Sequence, residues 1–190
     1  MMNEKTKSRV AASIVVASLA IGIVGAWEGL RTKAYRDAIG VPTVCFGETR
    51  GVRMGDRYTV DECKAMLGDA LVEFEQGIRK CLVSPDTIPD KSYVSFLSLS
   101  YNIGQRGFCR SSVARYANEY GRGGGLGKLT MACNRILAFN KAGGRVLAGL
   151  VRRRKEERKL CLEGVKEKRV TGIIEGDDKD VPMPDTRFNR

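Results

Sequence analysis

The chain of 190 residues has no histidine. That excludes Ser-His-Asp and Cys-His nucleophilic catalysis. It also speaks against catalytic zinc, whose sites are built largely on His, so no metal and no cofactor are expected. No Cys-x-x-Cys pair occurs among the six cysteines. An even number of scattered cysteines in a small chain reads as three disulfides formed in an oxidising compartment, the alternative being six buried thiols of a cytosolic protein. Negative charge is scarce: 33 Lys and Arg stand against 22 Asp and Glu, a net charge of +11. Such a chain is drawn to polyanions, among them nucleic acid, anionic lipid and the bacterial cell wall, and charge alone does not choose among them. Nor is there a long hydrophobic run. The longest uncharged stretch, Val10 to Trp27, falls just short of the roughly 20 residues a spanning helix needs.

What is present is concentrated in Glu28 to Thr49. Glu28 is the first acid after Glu4 and ends the apolar run. Asp37 precedes the turn signal Ala38-Ile39-Gly40, and Thr43 opens the strand-like Thr43-Val44-Cys45-Phe46. A carboxyl at a helix end, a second on one arm of a hairpin and a hydroxyl on the other arm can converge on one cleft. Two carboxyls there suit glycoside hydrolysis, in which one protonates the leaving oxygen and the other works on the opposite face of the sugar. The acid must stay protonated while the base is ionised; Glu28, beside Trp27 and an apolar run, suits the first role. The plainer reading is a surface Glu at a helix end and an Asp in a turn.

The pattern Glu-Gly-x-x-x-x-x-Tyr-x-Asp-x-x-Gly-x-x-Thr-x-x-x-Gly, carried by Glu28, Gly29, Tyr35, Asp37, Gly40, Thr43 and Gly47, resembles the phage-type lysozymes, or muramidases. The resemblance implies an α+β, mainly helical lysozyme-like fold with a small β-hairpin lobe at the active site, preceded here by an N-terminal apolar helix. It implies that Glu28 is the general acid and that Asp37 and Thr43 position and activate the attacking water. It also implies sequential disulfides: Cys45–Cys63, Cys81–Cys109 and Cys133–Cys161. One departure stands out. Glu48 occupies the place of the family's usual His, which makes it a rival for the base role.

Residues 1–9 are basic and lead into Val10–Trp27, the pattern of a secretory signal or an anchor. Half of that segment is Ala, Gly and Ser. Three readings compete: a cleaved signal peptide, a permanent anchor, and a helix that enters the bilayer, leaves it uncleaved and packs on the domain. Cleavage after Ala26 would leave Glu28 on a frayed terminus, whereas a catalytic acid needs rigid support. The third reading is favoured, and it resembles the signal-arrest-release kind of phage lysozyme. The expected organisation is a signal-anchor at 1–27, a lysozyme domain at 28–164 and a polar tail at 165–190.

Thr59-Val60-Asp61-Glu62 is a capping box, followed by Leu67, Leu71, Phe74 and Ile78 at helical spacing to about Cys81. Tyr93 to Ile103 is apolar on most faces and reads as a central buried helix closed by Gly104. Its Tyr-Asn-Ile-Gly ending resembles a family motif and makes Asn102 a substrate contact, or else a helix-capping side chain. Ser111-Ser112 opens a short helix to about Tyr120. Gly121 to Gly127 lacks phosphate-binding spacing and reads as a flexible loop, followed by a helix from Lys128 to Phe139. The Gly149–Cys161 segment is the most basic element. It resembles the family's closing helix, in which Arg153 matches an Arg set against the catalytic Glu. Such an Arg favours the ionised carboxylate, so burial must offset it if Glu28 is to donate a proton.

These readings point to an exported endolysin, monomeric, held at the inner membrane through residues 10–27 and then soluble in the periplasm. Its partner is peptidoglycan and not nucleic acid. The alternative is a catalytically inactive, membrane-tethered cell-wall binder.

Overall fold

The structure, a computed structural model, describes residues 8–37 and 39–174. The described residues fall into two compact units, 8–81 with 94–109 and 82–93 with 110–174.

The first unit opens with the apolar leader, which forms two helices rather than one. Helix α1 is Arg9–Ala12 and α2 is Ile14–Glu28. The break falls at Ser13, whose extended backbone lets its hydroxyl accept from Val16 N at 3.4 Å and cap α2. At 15 residues α2 is about 22 Å long, and among the described residues no helix is long and apolar enough to cross a membrane. Val16, Ala20 and Val24 recur every fourth position along α2 and are buried, as one face of a helix lying on a core must be. The contact is close. A Cβ built on Gly25 would stand 3.2 Å from Phe46 Cε1 and 3.6 Å from Leu67 Cδ2.

Strands β1 (Arg31–Arg36) and β2 (Pro42–Cys45) form an antiparallel hairpin, with Tyr35 opposite Thr43 and Arg36 opposite Pro42. Residues 56–58 line the other edge of β1: Ala34 N donates to Asp56 O at 3.0 Å, and Tyr58 N to Thr32 O at 2.9 Å. Helix α3 (Val60–Arg79) starts at the expected capping box. Glu62 N donates to Thr59 Oγ1 at 3.2 Å and Thr59 N to Glu62 Oε2 at 2.6 Å. Its Leu67, Leu71 and Ile78 are buried. Helix α4 (Asp90–Ile103) contributes Phe96, Leu97 and Leu99, all fully buried, and ends where Gly104 turns to φ 80°. Helix α5 (Gln105–Cys109) follows at once and sets Phe108 against Phe96, ring centroids 6.0 Å apart. Disulfides Cys45–Cys63 and Cys81–Cys109 tie the unit together.

In the second unit, α6 (Ser112–Gly121) packs on α7 (Gly125–Arg135). Ser111 caps α6 by accepting from Ala114 N at 3.1 Å. The glycine-rich stretch is only half a loop, since α7 already begins at Gly125. Burial of Leu129, Ala132 and Cys133 outweighs the low helix propensity of its first turn. Helix α7 gives way to a 3-10 turn at Ile136–Ala138. A two-residue ladder, β3 (Lys141–Ala142) with β4 (Arg145–Val146), encloses the Gly143-Gly144 turn. Helix α8 runs from Ala148 to Ile174, past the Gly164 at which the polar tail was expected to begin. Gly164 is a packing point and not a stop: a Cβ there would meet Ser92 Oγ at 2.6 Å and Ser92 N at 2.8 Å. Ser92 Oγ donates to Cys161 O at 2.7 Å, and Lys91 Nζ reaches Glu163 at 3.5 Å and Glu167 at 2.5 Å. Cys133–Cys161 bridges α7 and α8. The rest of the expected tail, 175–190, lies outside the described residues.

Candidate active site

Glu28 is the last residue of α2, half-buried, and Gly29 at φ 74° turns the chain into β1. With ψ at 141° this is a backbone that side-chain-bearing residues rarely adopt, which is why glycine suits the exit from the helix. The acid therefore stands on a packed helix, three residues before the hairpin begins.

The hairpin end is organised by Val41. Asp37 N donates to Val41 O at 3.0 Å, and Asp37 Oδ1 accepts from Val41 N at 2.8 Å and from Ile39 N at 3.0 Å. Gly40, at φ 86°, donates its N–H to Asp37 O at 3.0 Å. Arg36 Nη1 bonds Gly40 O at 2.8 Å. Thr43, buried at 4 % exposure, donates its hydroxyl to Val41 O at 3.0 Å. Asp37 and Thr43 are thus locked to the two polar groups of one residue. The turn uses Oδ1 of Asp37, and Oδ2 accepts no hydrogen bond from the described residues. Glu28 is not among the hydrogen-bond partners of Asp37 or Thr43.

Glu48 follows β2 in a tight turn in which Val44 and Glu48 exchange backbone bonds of 2.9 Å. Cys45 holds φ 58° there, a left-handed conformation that costs a non-glycine residue about 1 kcal/mol, and it is bonded to Cys63 on α3. Glu48 itself is fully engaged. Its Oε1 accepts from Thr49 N (3.0 Å), Arg50 N (2.8 Å) and Arg50 Nε (3.0 Å), and its Oε2 from Arg50 Nη2 (3.0 Å). Arg50 reaches on to Glu73 at 2.9 Å. The Arg50 side chain holds the Glu48 carboxyl below the ordinary carboxylate range. A carboxylate so occupied is a poor rival for Asp37 as a base.

Asn102 is exposed on the last turn of α4, in the same unit. Arg153 belongs to the second unit, where it is buried and donates from Nε to Glu157 Oε1 at 3.0 Å. Arg154 Nε lies 3.2 Å from Glu157 Oε2, so two neighbouring arginines share one fully buried carboxylate. Among the described residues no group of three or more His, Cys, Asp or Glu is placed to hold a metal ion.

Two residues escape sequence reasoning. Arg50 carries a faint signal, an opposite charge two positions from Glu48. Glu75 carries a clearer one: it sits four residues after Leu71 and three before Ile78, on the stripe that should be apolar, and it is fully buried.

Helical units with one small hairpin bearing a carboxyl and a buried threonine define a lysozyme-like hydrolase. A crystal structure of a P22 lysozyme mutant has this fold, with TM-score 0.67 and 31% sequence identity over 76% of this chain and 96% of that one. Residues 25–157 match the phage lysozyme family, and the chain belongs to that family. It is a glycoside hydrolase of the muramidase type. A SAR-endolysin of Bacteriophage PS119 is 36% identical over 138 residues, covering 72% of this chain and 77% of the relative. That of Pseudomonas phage phiKMV is 36% identical over 153 residues, covering 77% and 89%.

Proposed function

We propose that the protein cleaves the β-1,4 bond between N-acetylmuramic acid and N-acetylglucosamine in bacterial peptidoglycan, with inversion at the anomeric carbon. Glu28 gives its proton to the leaving glycosidic oxygen. Water attacks the anomeric carbon from the opposite face and loses a proton to Asp37 through Oδ2, while Thr43 orients it. Inverting hydrolases keep their two carboxyls about 6.5–9.5 Å apart to make room for that water. The observation that carries the reading is the fixing of Asp37 and Thr43 to Val41, which leaves Oδ2 to a solvent molecule. Asn102 contacts the substrate from the end of α4.

The leader, residues 1–27, precedes the catalytic domain that begins at Glu28. We assign it a tethering role: the chain is exported, held inactive at the inner membrane by residues 10–27, then freed into the periplasm as an active monomer. Support comes from the name of its relatives, from the small residues of α2, and from the seat that α2 finds on the first unit.

Glu28→Gln tests the chemistry. It is expected to abolish lysis of purified bacterial walls while leaving the melting temperature within a few degrees. Retained muramidase activity in that variant would defeat the assignment. Assay of the membrane-embedded and freed wild-type proteins on the same walls tests the tether, and equal activity of the two forms would defeat it.

A further inference from the structure

Glu75 is a buried ionisable residue that the chemistry does not use. It lies on α3 with no exposed surface, and its two oxygens take three donors from the start of the leader. Arg9 N donates to Oε1 at 2.8 Å, Val10 N to Oε2 at 3.1 Å, and the Ser8 hydroxyl to Oε2. Arg79 Nη1 is 3.9 Å from Oε1. Ser8 is fully buried and Val10 is 5 % exposed. A carboxylate taken out of water is costly unless its lone pairs are filled, and bonds to a charged acceptor are the strong ones. Two of these donors are backbone N–H groups, so the contact reads position along the leader as well as the Ser8 side chain.

That position matters at the other end. Val16, Ala20, Val24 and Glu28 follow each other at intervals of four on α2, so the acid continues the row of buried residues. A slip of one residue would move the helix about 1.5 Å and turn it by about 100°, carrying Glu28 off that row. We infer that Glu75 is a positioning residue: it clamps the first turn of the docked leader and so fixes the register at which Glu28 is presented. This inference rests on the reading of Glu28 as the acid and of the leader as a segment that docks after release.

The test uses the full-length, oxidised, soluble protein. Trypsin cleavage of the Arg9–Val10 bond is followed by mass spectrometry, beside the global unfolding rate and the kcat and KM for wall digestion. Glu75→Gln keeps the size and removes the charge. It is expected to speed leader cleavage about tenfold with little change in global unfolding, and to lower kcat with KM nearly unchanged. Unchanged cleavage would overturn the inference, as would equal acceleration of leader cleavage and global unfolding, or a kcat loss without a loosened leader. Should Glu75→Gln not fold, Ser8→Asp carries the test from the leader side. Asp caps helices as well as Ser but sets a second carboxylate against Glu75, so cleavage should rise. Cleavage at the wild-type rate would mean that Ser8 serves only its own helix. If Glu28→Gln kept its activity, the acid assignment alone would fall, and the cleavage arm would still report on the clamp.

Discussion

Asp37 and Thr43 grip one residue from both sides: Asp37 Oδ1 accepts the Val41 N–H at 2.8 Å and the Thr43 hydroxyl donates to the Val41 carbonyl at 3.0 Å. A turn of ordinary composition thereby becomes a rigid mount for the proposed base and its neighbouring hydroxyl. Rigidity of this kind is what a catalytic constellation needs from its scaffold.

The mount predicts a graded series. Asp37→Asn keeps the turn bond and removes the base, so kcat should fall about 100-fold or more while stability changes little. Thr43→Ala loses a buried hydrogen bond worth about 1 kcal/mol, and Thr43→Ser should restore most of both stability and rate. Wall-turbidity kinetics and calorimetry on the three variants check this. A Thr43→Ser protein as slow as Thr43→Ala would show that the hydroxyl is not the operative group.

The Glu48–Arg50 pair gives a pH dependence whose sign is fixed. Arg50 holds the folded-state Glu48 carboxyl below its ordinary value, and Glu48 in turn raises the Arg50 guanidinium. A carboxyl depressed in the folded state adds stability above its unfolded pKa, and that contribution disappears as pH falls through the folded pKa. Arg50→Ala should therefore lower the melting temperature at neutral pH and converge with the wild type at strongly acidic pH. Arg50 is exposed and Glu48 half-buried, so added salt should shrink the difference in part. A gap that persists unchanged in acid would place the effect elsewhere.

Closing the 18-residue loop between Cys45 and Cys63 stabilises by about 3 kcal/mol. It also pins Cys45 in its left-handed conformation. Replacing both cysteines by serine should lower the melting temperature by roughly 10 °C, measured by calorimetry. Activity should drop further than the thermal loss explains, because β2 carries Thr43.

Helix α8 offers a paired test of glycine. Gly164 meets Ser92 at distances no Cβ tolerates, whereas Gly172 has nothing within 4 Å. Gly164→Ala should cost about 2 kcal/mol. Gly172→Ala should stabilise by up to about 1 kcal/mol. Denaturant titration of the two variants checks the pair, and a neutral Gly164→Ala would show that α4 and α8 can part there.

How far the sequence speaks for the structure depends on whether the signal is local. The α3 start was legible because Thr59 and Glu62 satisfy each other within four residues. The buried α4 was legible from its apolar faces, and Gly104 from the positive φ its helix end requires. The sequential bridges, implied by family resemblance, are the pairs found in the structure. The break at Ser13 was hidden in a continuous apolar run, since a single Ser can sit in a helix or cap one, and packing on α3 decides. The α7 start at Gly125 and the passage of α8 through Gly164 defied propensity because tertiary contacts override it. Within the site, Asp37 and Thr43 were legible as a carboxyl and a hydroxyl on two arms of a hairpin. The part played by Val41 was not, since a backbone N–H and carbonyl leave no trace in residue type. Glu75 was visible as an acid on an apolar stripe, but its partners lie 65 or more positions away.

The near-contact of Gly25 with Phe46 sets two demands against each other. Lengthening the side chain at position 25 would make the leader greasier and a better lodger in lipid, yet the same atoms would collide with the aromatic ring that receives the helix. On the proposed tethering role, whatever strengthens its hold on one host spoils its fit to the other, and a segment that passes between them is kept smooth and only moderately oily.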